Sequence, residues 1–188
     1  MTGRPGPEAP PEHARGERDR VLPLVVTLLL DDAAQAAFDR LRGAHFPARR
    51  NHLRAHVTLF HALPGEREGG VRAELAAAAA RVHAFGLPVS GPRLLGRGVA
   101  LDVTAPDLDR LHRELQEVFG PWLTRQDAQR LRAHVTVQNK VEPAVARALR
   151  EKLAAAPLPT AATARGLGLW RYRGGPWEPV TGFGFAAR

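Results

Sequence analysis

The chain has 188 residues, 44% of them hydrophobic, with 27 Lys and Arg against 19 Asp and Glu for a formal charge of +8. That length can bury a substantial core, so one domain or one internally duplicated domain is expected, and the absence of cysteine excludes disulfides, thiolate metal sites and a cysteine nucleophile. The basic balance suits a polyanionic or phosphate-bearing partner without requiring one, since a coding bias towards Ala, Gly, Pro and Arg accounts for the arginines equally well.

Residues 1–20 are polar and rich in Pro, Gly, Glu and Arg, the composition of a disordered leader with no apolar secretory core. Val21 to Leu30 is a continuous apolar run. It is too short to cross a bilayer and is expected to be a central strand, which makes a soluble cytoplasmic protein the default. Asp31-Asp32 then caps a helix whose buried stripe is Ala36, Ala37, Phe38, Leu41 and Ala44, ending near His45. Pro47 to His52 is a basic loop. After Phe60, the pairs Pro64-Gly65 and Gly69-Gly70 mark a turn, and Val71 to Phe85 reads as an alanine-rich helix.

Leu87–Leu95 and Gly98–Thr104 form an expected strand pair turning at Gly96-Arg97-Gly98. Leu108, Leu111, Leu115, Val118 and Phe119 then fall at helical spacing until Gly120-Pro121. A further helix opens at Pro143 and runs to about Ala155. Thr163–Arg173 and Glu178–Phe185 read as a closing hairpin, with Gly168, Trp170 and Tyr172 sharing one face. In that hairpin Trp170 and Trp177 suit a core role better than base stacking.

Within this pattern six letters occur twice. Leu53-Arg54-Ala55-His56-Val57-Thr58 reappears as Leu131-Arg132-Ala133-His134-Val135-Thr136, 78 residues later. Each copy follows a strand and a helix and precedes a helix and a strand, so the chain reads as a duplication with halves of about 21–95 and 96–185 inside one domain, 21–188. Strand alternation puts Arg54, His56, Thr58 and Phe60 on one face and Val57 and Leu59 on the other. In the second copy Arg132, His134, Thr136 and Gln138 share a face, with Val135 and Val137 opposite.

Paired imidazoles with near-neutral pKa values let one act as base while the other acts as acid. Each threonine, two residues on, faces the same way and can donate to a phosphate oxygen. Such an arrangement needs no metal or other cofactor. Identity concentrated on polar, titratable positions also argues against a merely structural repeat, which would keep apolar positions instead.

His56-Val57-Thr58 and His134-Val135-Thr136 resemble the paired motifs of the two-histidine phosphoesterases. The flanking stretches His56-Val57-Thr58-Leu59-Phe60 and His134-Val135-Thr136-Val137-Gln138-Asn139-Lys140 are similar to the bacterial 2'-5' RNA ligase family, over about residues 21 to 185. This resemblance implies an α+β fold that is bilobal and pseudo-symmetric, with two antiparallel sheets lining a central cleft and helices outside. It implies action on 2',3'-cyclic phosphates of RNA 3' ends or small nucleotides, by a monomer, usually giving a 2'-phosphate. On that template His56 and His134 are catalytic, His56 as acid and His134 as base in an assignment the pseudo-symmetry makes easy to exchange. Thr58 and Thr136 hold the nonbridging oxygens. Arg54 and Arg132 attract the phosphate or lie at solvent-facing strand ends; Phe60 and Tyr172 are stacking candidates, and Gln138 is a hydrogen-bonding candidate for a base. The rival readings are 2'-5' RNA ligation by the same residues, RNA binding without turnover, and a metal hydrolase using His52, His56 and His61. The last is disfavoured because alternation sends His61 away from His56.

Overall fold

The computed structural model describes residues 21–187; the leader expected over residues 1–20 lies outside them. Seven strands form one antiparallel sheet, β1 (Leu24–Leu30), β2 (Val57–Leu63), β3 (Phe85–Leu94), β4 (Val99–Val103), β5 (His134–Gln138), β6 (Ala161–Tyr172) and β7 (Trp177–Gly184). Four helices connect them, α1 (Asp32–His45), α2 (Glu68–Arg81), α3 (Pro106–Phe119) and α4 (Pro143–Ala154).

The expectation of two separate sheets facing each other across a cleft is wrong. Strand order is β1-β2-β5-β4-β3-β6-β7, and β1 also pairs with β6, which closes the first six strands into a barrel with helices packed around it. Two contacts make the closure. In one, the two motif strands pair directly, at Val57↔Val135. In the other, β6 is long enough to divide its partners: Ala161–Ala164 pairs with β3 on one edge, while Ala164–Arg171 pairs with β1 on the other. Beyond β3, β7 takes over the first of those edges from Gly166 to Tyr172. Closure removes the unpaired edges that two open sheets would each expose.

One core serves both halves. Val26, Leu28, Val57, Leu59, Val99, Leu101, Val135, Val137, Leu167 and Leu169 are buried together with the helix residues Phe38, Leu75, Leu108, Leu111, Leu115, Ala146 and Leu149. The helices therefore cover the apolar outer face of the barrel, and the polar positions that alternate with these strand residues face inward.

Helices α1, α3 and α4 start close to where the sequence signals place them, whereas α2 starts at Glu68, so Gly69-Gly70, expected in a turn, lie in its first turn. Asp31 caps α1 by accepting from the Ala34 N–H at 3.0 Å, and its other oxygen accepts from the Thr163 N–H at 2.7 Å, so one carboxylate fixes the helix and ties it to β6. The alanine-rich helix stops at Arg81, short of the predicted Phe85. Phe85 pairs with Ala164 as the first residue of β3, a tertiary pairing that overrides local helix propensity.

Candidate active site

The antiparallel register about Val57↔Val135 sets His56 across from Thr136 and Thr58 across from His134. All four side chains share the face opposite the two buried valines. Directly opposite Cβ atoms in such pairs lie about 4.5–5.5 Å apart, so the two motifs form one compact, two-fold cluster. Neighbouring strands extend it, since Thr58 pairs with Thr27 on β1 and His134 with Asp102 on β4.

Both catalytic candidates are held in the same way. His56 Nδ1 lies 2.7 Å from the Arg54 carbonyl and His134 Nδ1 lies 2.7 Å from the Arg132 carbonyl. A carbonyl can only accept, so each Nδ1 carries hydrogen and each Nε2 is left for exchange with a ligand. The hexamer thus encodes its own second contact, because the residue two before each histidine turns its carbonyl onto the ring.

Helix α1 positions the first copy. Gln35, Asp39 and Arg42, spaced to share one helix face, grip the segment entering His56. Asp39 accepts from the Ala55 N–H at 2.7 Å and from Arg54 Nε at 2.8 Å. Gln35 Nε2 donates to the Ala55 carbonyl at 2.8 Å. Arg42 is 5% exposed; its guanidinium lies 3.9 Å from the centre of the Phe46 ring. It donates to Asn51 Oδ1 at 2.9 Å, to the Leu53 carbonyl at 3.0 Å and to the Thr136 carbonyl at 2.9 Å. One buried cation therefore joins the loop before the first motif to the strand of the second. Burial pulls its pKa below the ordinary arginine value, with Asp39 opposing.

His56 is partly buried, with the Trp177 ring 4.6 Å away. Desolvation pushes its pKa down to about 4, the Arg54 carbonyl opposing and the positive charges of Arg42, His134 and His61 adding to the depression. Unliganded His56 is therefore neutral at pH 7. Because the folded value lies below the ordinary 6.5, the unfolded chain binds more protons between those limits, and stability is lost as pH falls from about 6.5 towards 4. The loss from this group is at most about 3 kcal/mol, less where solvent reaches the ring. Urea unfolding midpoints of the wild type and His56→Asn, compared from pH 7.5 to 4.5, are expected to converge as pH falls; parallel curves would contradict it.

The remaining predicted residues divide. Arg54 is exposed and ion-paired with Asp39, which occupies it at the strand end. Arg132 lines a groove of about 580 Å³ with Ser90, Arg93, Asp102 and Arg130, adjoining His134 through Ala133. Tyr172 is 39% exposed and is the cross-strand neighbour of Trp177. Phe60, expected to stack on a base, is instead fully buried against His112 and Phe119. Gln138, expected to bond a base, is 6% exposed, and its Oε1 has no partner among the described residues.

One device repeated in both halves explains these two misplacements. On β2 the register slips between Val26↔Phe60 and Thr27↔Thr58; on β5 it slips between Val99↔Gln138 and Ala100↔Thr136. In each case an extra residue follows the motif threonine, a β-bulge that ends strict alternation and turns the next two side chains the same way. Leu59 and Phe60 both enter the core, as do Val137 and Gln138. Gly98 makes room for the second bulge, since a Cβ there would lie 2.1 Å from the Gln138 carbonyl oxygen.

Four positions that matter here are not legible in the sequence. Arg42 has no local signal that ties it to either motif, Asp39 and Gln35 carry none beyond helical spacing, and Trp177 reads as a core residue. Trp170 beside it donates from Nε1 to Thr27 Oγ1 at 2.9 Å, against Gly168, where a Cβ would lie 2.9 Å from that hydroxyl. The β6–β7 hairpin thus forms an aromatic wall over the His56 half of the site.

Compared with known families, residues 30–176 match the 2'-5' RNA ligase superfamily. The chain belongs to that superfamily. Among solved structures it is similar in fold to TT0787 of Thermus thermophilus, with 18% identity and a TM-score of 0.60 over 89% of this chain and 100% of that one. It is similar also to E. coli LigT complexed with 3'-AMP, with 18% identity and a TM-score of 0.55 over the same shares. A structure described as a phosphoesterase matches at 16% identity and TM-score 0.56 over 89% of this chain and 100% of that one. No curated protein sequence matches the chain significantly. Among the described residues of this superfamily member, no group of three or more His, Asp or Glu is placed to hold a metal ion, and no helix is long and apolar enough to cross a membrane.

Proposed function

We propose that this superfamily member hydrolyses 2',3'-cyclic phosphodiesters, on RNA 3' ends or small nucleotides, without a metal and leaving a 2'-phosphate. The observation carrying this reading is the two-fold cluster itself: His56 with Thr136 and Thr58 with His134, both imidazoles fixed through Nδ1 with Nε2 free. A phosphate between them meets two proton-transfer groups on opposite sides and two hydroxyl donors for its nonbridging oxygens.

His134 Nε2 takes a proton from water as its oxygen attacks phosphorus in line. The bond from phosphorus to the ribose 3' oxygen breaks, and His56 Nε2–H supplies the proton that oxygen needs. Catalysis is positional and electrostatic, and no bond to the enzyme forms. With its pKa depressed to about 4, His56 meets the substrate neutral. The anionic phosphodiester against Nε2 then restores the charged form, by the same Coulombic logic that Arg42 and His134 apply in reverse. The nucleoside extends into the groove that Arg93, Arg130 and Arg132 line.

Incubation with an oligonucleotide bearing a 2',3'-cyclic phosphate, with and without a 5'-hydroxyl acceptor strand, tests the reading. The expected product in both arms is the 2'-phosphate. A joined 2'-5' strand would assign ligation, the activity in the superfamily's name, and absence of any product at high enzyme concentration would leave RNA binding as the function. Proton linkage is a second readout: binding of adenosine 2'-monophosphate at pH 7, measured calorimetrically in buffers of differing ionisation enthalpy, is expected to take up close to one proton. Zero uptake would contradict the assignment of His56 as the acid.

A further inference from the structure

The bulge that buries Phe60 has an opposite effect on the next residue. Because Leu59 and Phe60 both point into the core, His61 emerges on the face of Thr58, the next inward position along β2. Its charge is among those that depress the His56 pKa. Strict alternation, by contrast, places His61 on the far side.

His61 is not a loose surface residue. Its Nδ1 lies 2.9 Å from Asp127 Oδ1, and Asp127 is 1% exposed while the His61 side chain is 49% exposed. The carboxylate also accepts from the backbone N–H groups of His61 and Ala62 at 2.9 to 3.1 Å. Burial works against ionisation of Asp127, but the His61 ring and these backbone donors outweigh it and hold its pKa below the ordinary value. The buried anion thus fixes Nδ1–H, and Nε2 is the atom turned to solvent. This is the arrangement of His56 and His134 with a carboxylate in place of the carbonyl. The backbone bonds already anchor the Asp127 loop to β2, so the ring is not needed for that purpose.

The second half does not repeat this feature. The position equivalent to His61 is Asn139, whose Oδ1 accepts from the Lys140 N–H at 2.7 Å. The duplication therefore supplies two proton-transfer histidines but only one additional imidazole, on the β2 side. Arg125, from the segment that carries Asp127, forms no ion pair among the described residues.

We propose that His61, held by Asp127, is a second phosphate-binding residue that receives the phosphate next to the one between His56 and His134, so that the site prefers the 5'-phosphorylated terminal nucleotide of an RNA end over an isolated nucleoside cyclic phosphate. This rests on the reading that a phosphate occupies the two-fold cluster. Between two anions the ring donates Nδ1–H to Asp127 and Nε2–H to a nonbridging oxygen of the phosphate, a hydrogen bond to a charged acceptor on each side. No proton leaves the ring and no bond is made or broken. His61 confers specificity and takes no part in proton transfer.

The test compares binding of adenosine 2'-monophosphate and adenosine 2',5'-bisphosphate by calorimetry, and turnover of adenosine 2',3'-cyclic phosphate with and without a 5'-phosphate. The wild type is expected to bind the bisphosphate about tenfold more tightly, the scale of one partly exposed charge-assisted contact. His61→Ala is expected to abolish that advantage while monophosphate affinity stays within about twofold, and to raise KM for the 5'-phosphorylated substrate with kcat unchanged. His61→Arg, which restores a cation, is expected to recover part of the preference. Equal binding of the two ligands by the wild type, or a preference that survives in His61→Ala, would overturn the proposal. A preference lost in His61→Ala without turnover of either cyclic compound would keep the phosphate site and remove the hydrolysis reading; turnover indifferent to the 5'-phosphate, with equal binding, would do the reverse.

Discussion

Replacing His56 or His134 by alanine is expected to lower turnover of a 2',3'-cyclic phosphate by about 10²–10⁴ each, the usual worth of a positioned acid or base. The double variant is expected to fall little further than the worse single one. Once one proton transfer is lost, the other cannot be completed in the same transition state, so the two act as a unit and their effects do not add. Substrate affinity should change far less than kcat, since Thr58 and Thr136 remain. Initial rates with the cyclic substrate, alongside calorimetric binding of the 2'-monophosphate, separate the two quantities. Full turnover in either single variant would remove the proposed mechanism.

The second large effect is expected at Arg42, outside the reacting cluster. Arg42→Met keeps much of the volume but leaves the Leu53 and Thr136 carbonyls and Asn51 Oδ1 without their buried donor. Unpaired buried acceptors cost about 1–3 kcal/mol each, and relaxation with entering water recovers part of that. A net loss of about 3–5 kcal/mol follows, comparable with breaking a buried charged network. Thermal unfolding is expected to drop by about 10 °C, on the scaling for domains of this size.

Activity in Arg42→Met is expected to fall even at temperatures where the protein stays folded. Arg42 joins the segment leading to His56 with the Thr136 carbonyl, so its loss loosens one motif against the other. Since it touches no substrate in this arrangement, it is a positioning residue. The distinguishing readout is a lower kcat with an unchanged pH profile, whereas Ala substitution of either histidine removes a limb of that profile. Arg42→Lys, which retains the charge but not the three-way geometry, is expected to fall between the two. Wild-type kcat in folded Arg42→Met would show that the barrel alone keeps the motifs in register.

The sequence carries the duplicated hexamer, the order of strands and helices around each copy and the helix cap at Asp31, and its two His-x-Thr motifs are the basis of the acid-base chemistry proposed for them. These rest on short-range physics: alternation, helical spacing and the ionisation of imidazole near neutrality. It also determined which face of each motif is polar, because Val57 and Val135 had to be buried and the histidines therefore could not be. The rest depends on contacts between residues far apart in the chain. Closure of the barrel turns on β6 being long enough to pair with both β1 and β3, which no local pattern announces. Arg42 reaches Thr136 across the two halves, and Trp177 reaches His56 from the last hairpin. The fates of Phe60, Gln138 and His61 turned on one inserted residue per strand. A bulge reverses the inward and outward sense of the residues that follow it, up to the next irregularity, which on β2 falls between Phe60 and Leu63, and its presence is fixed by the partner strand's register. Strand alternation therefore holds up to each motif threonine, and no further.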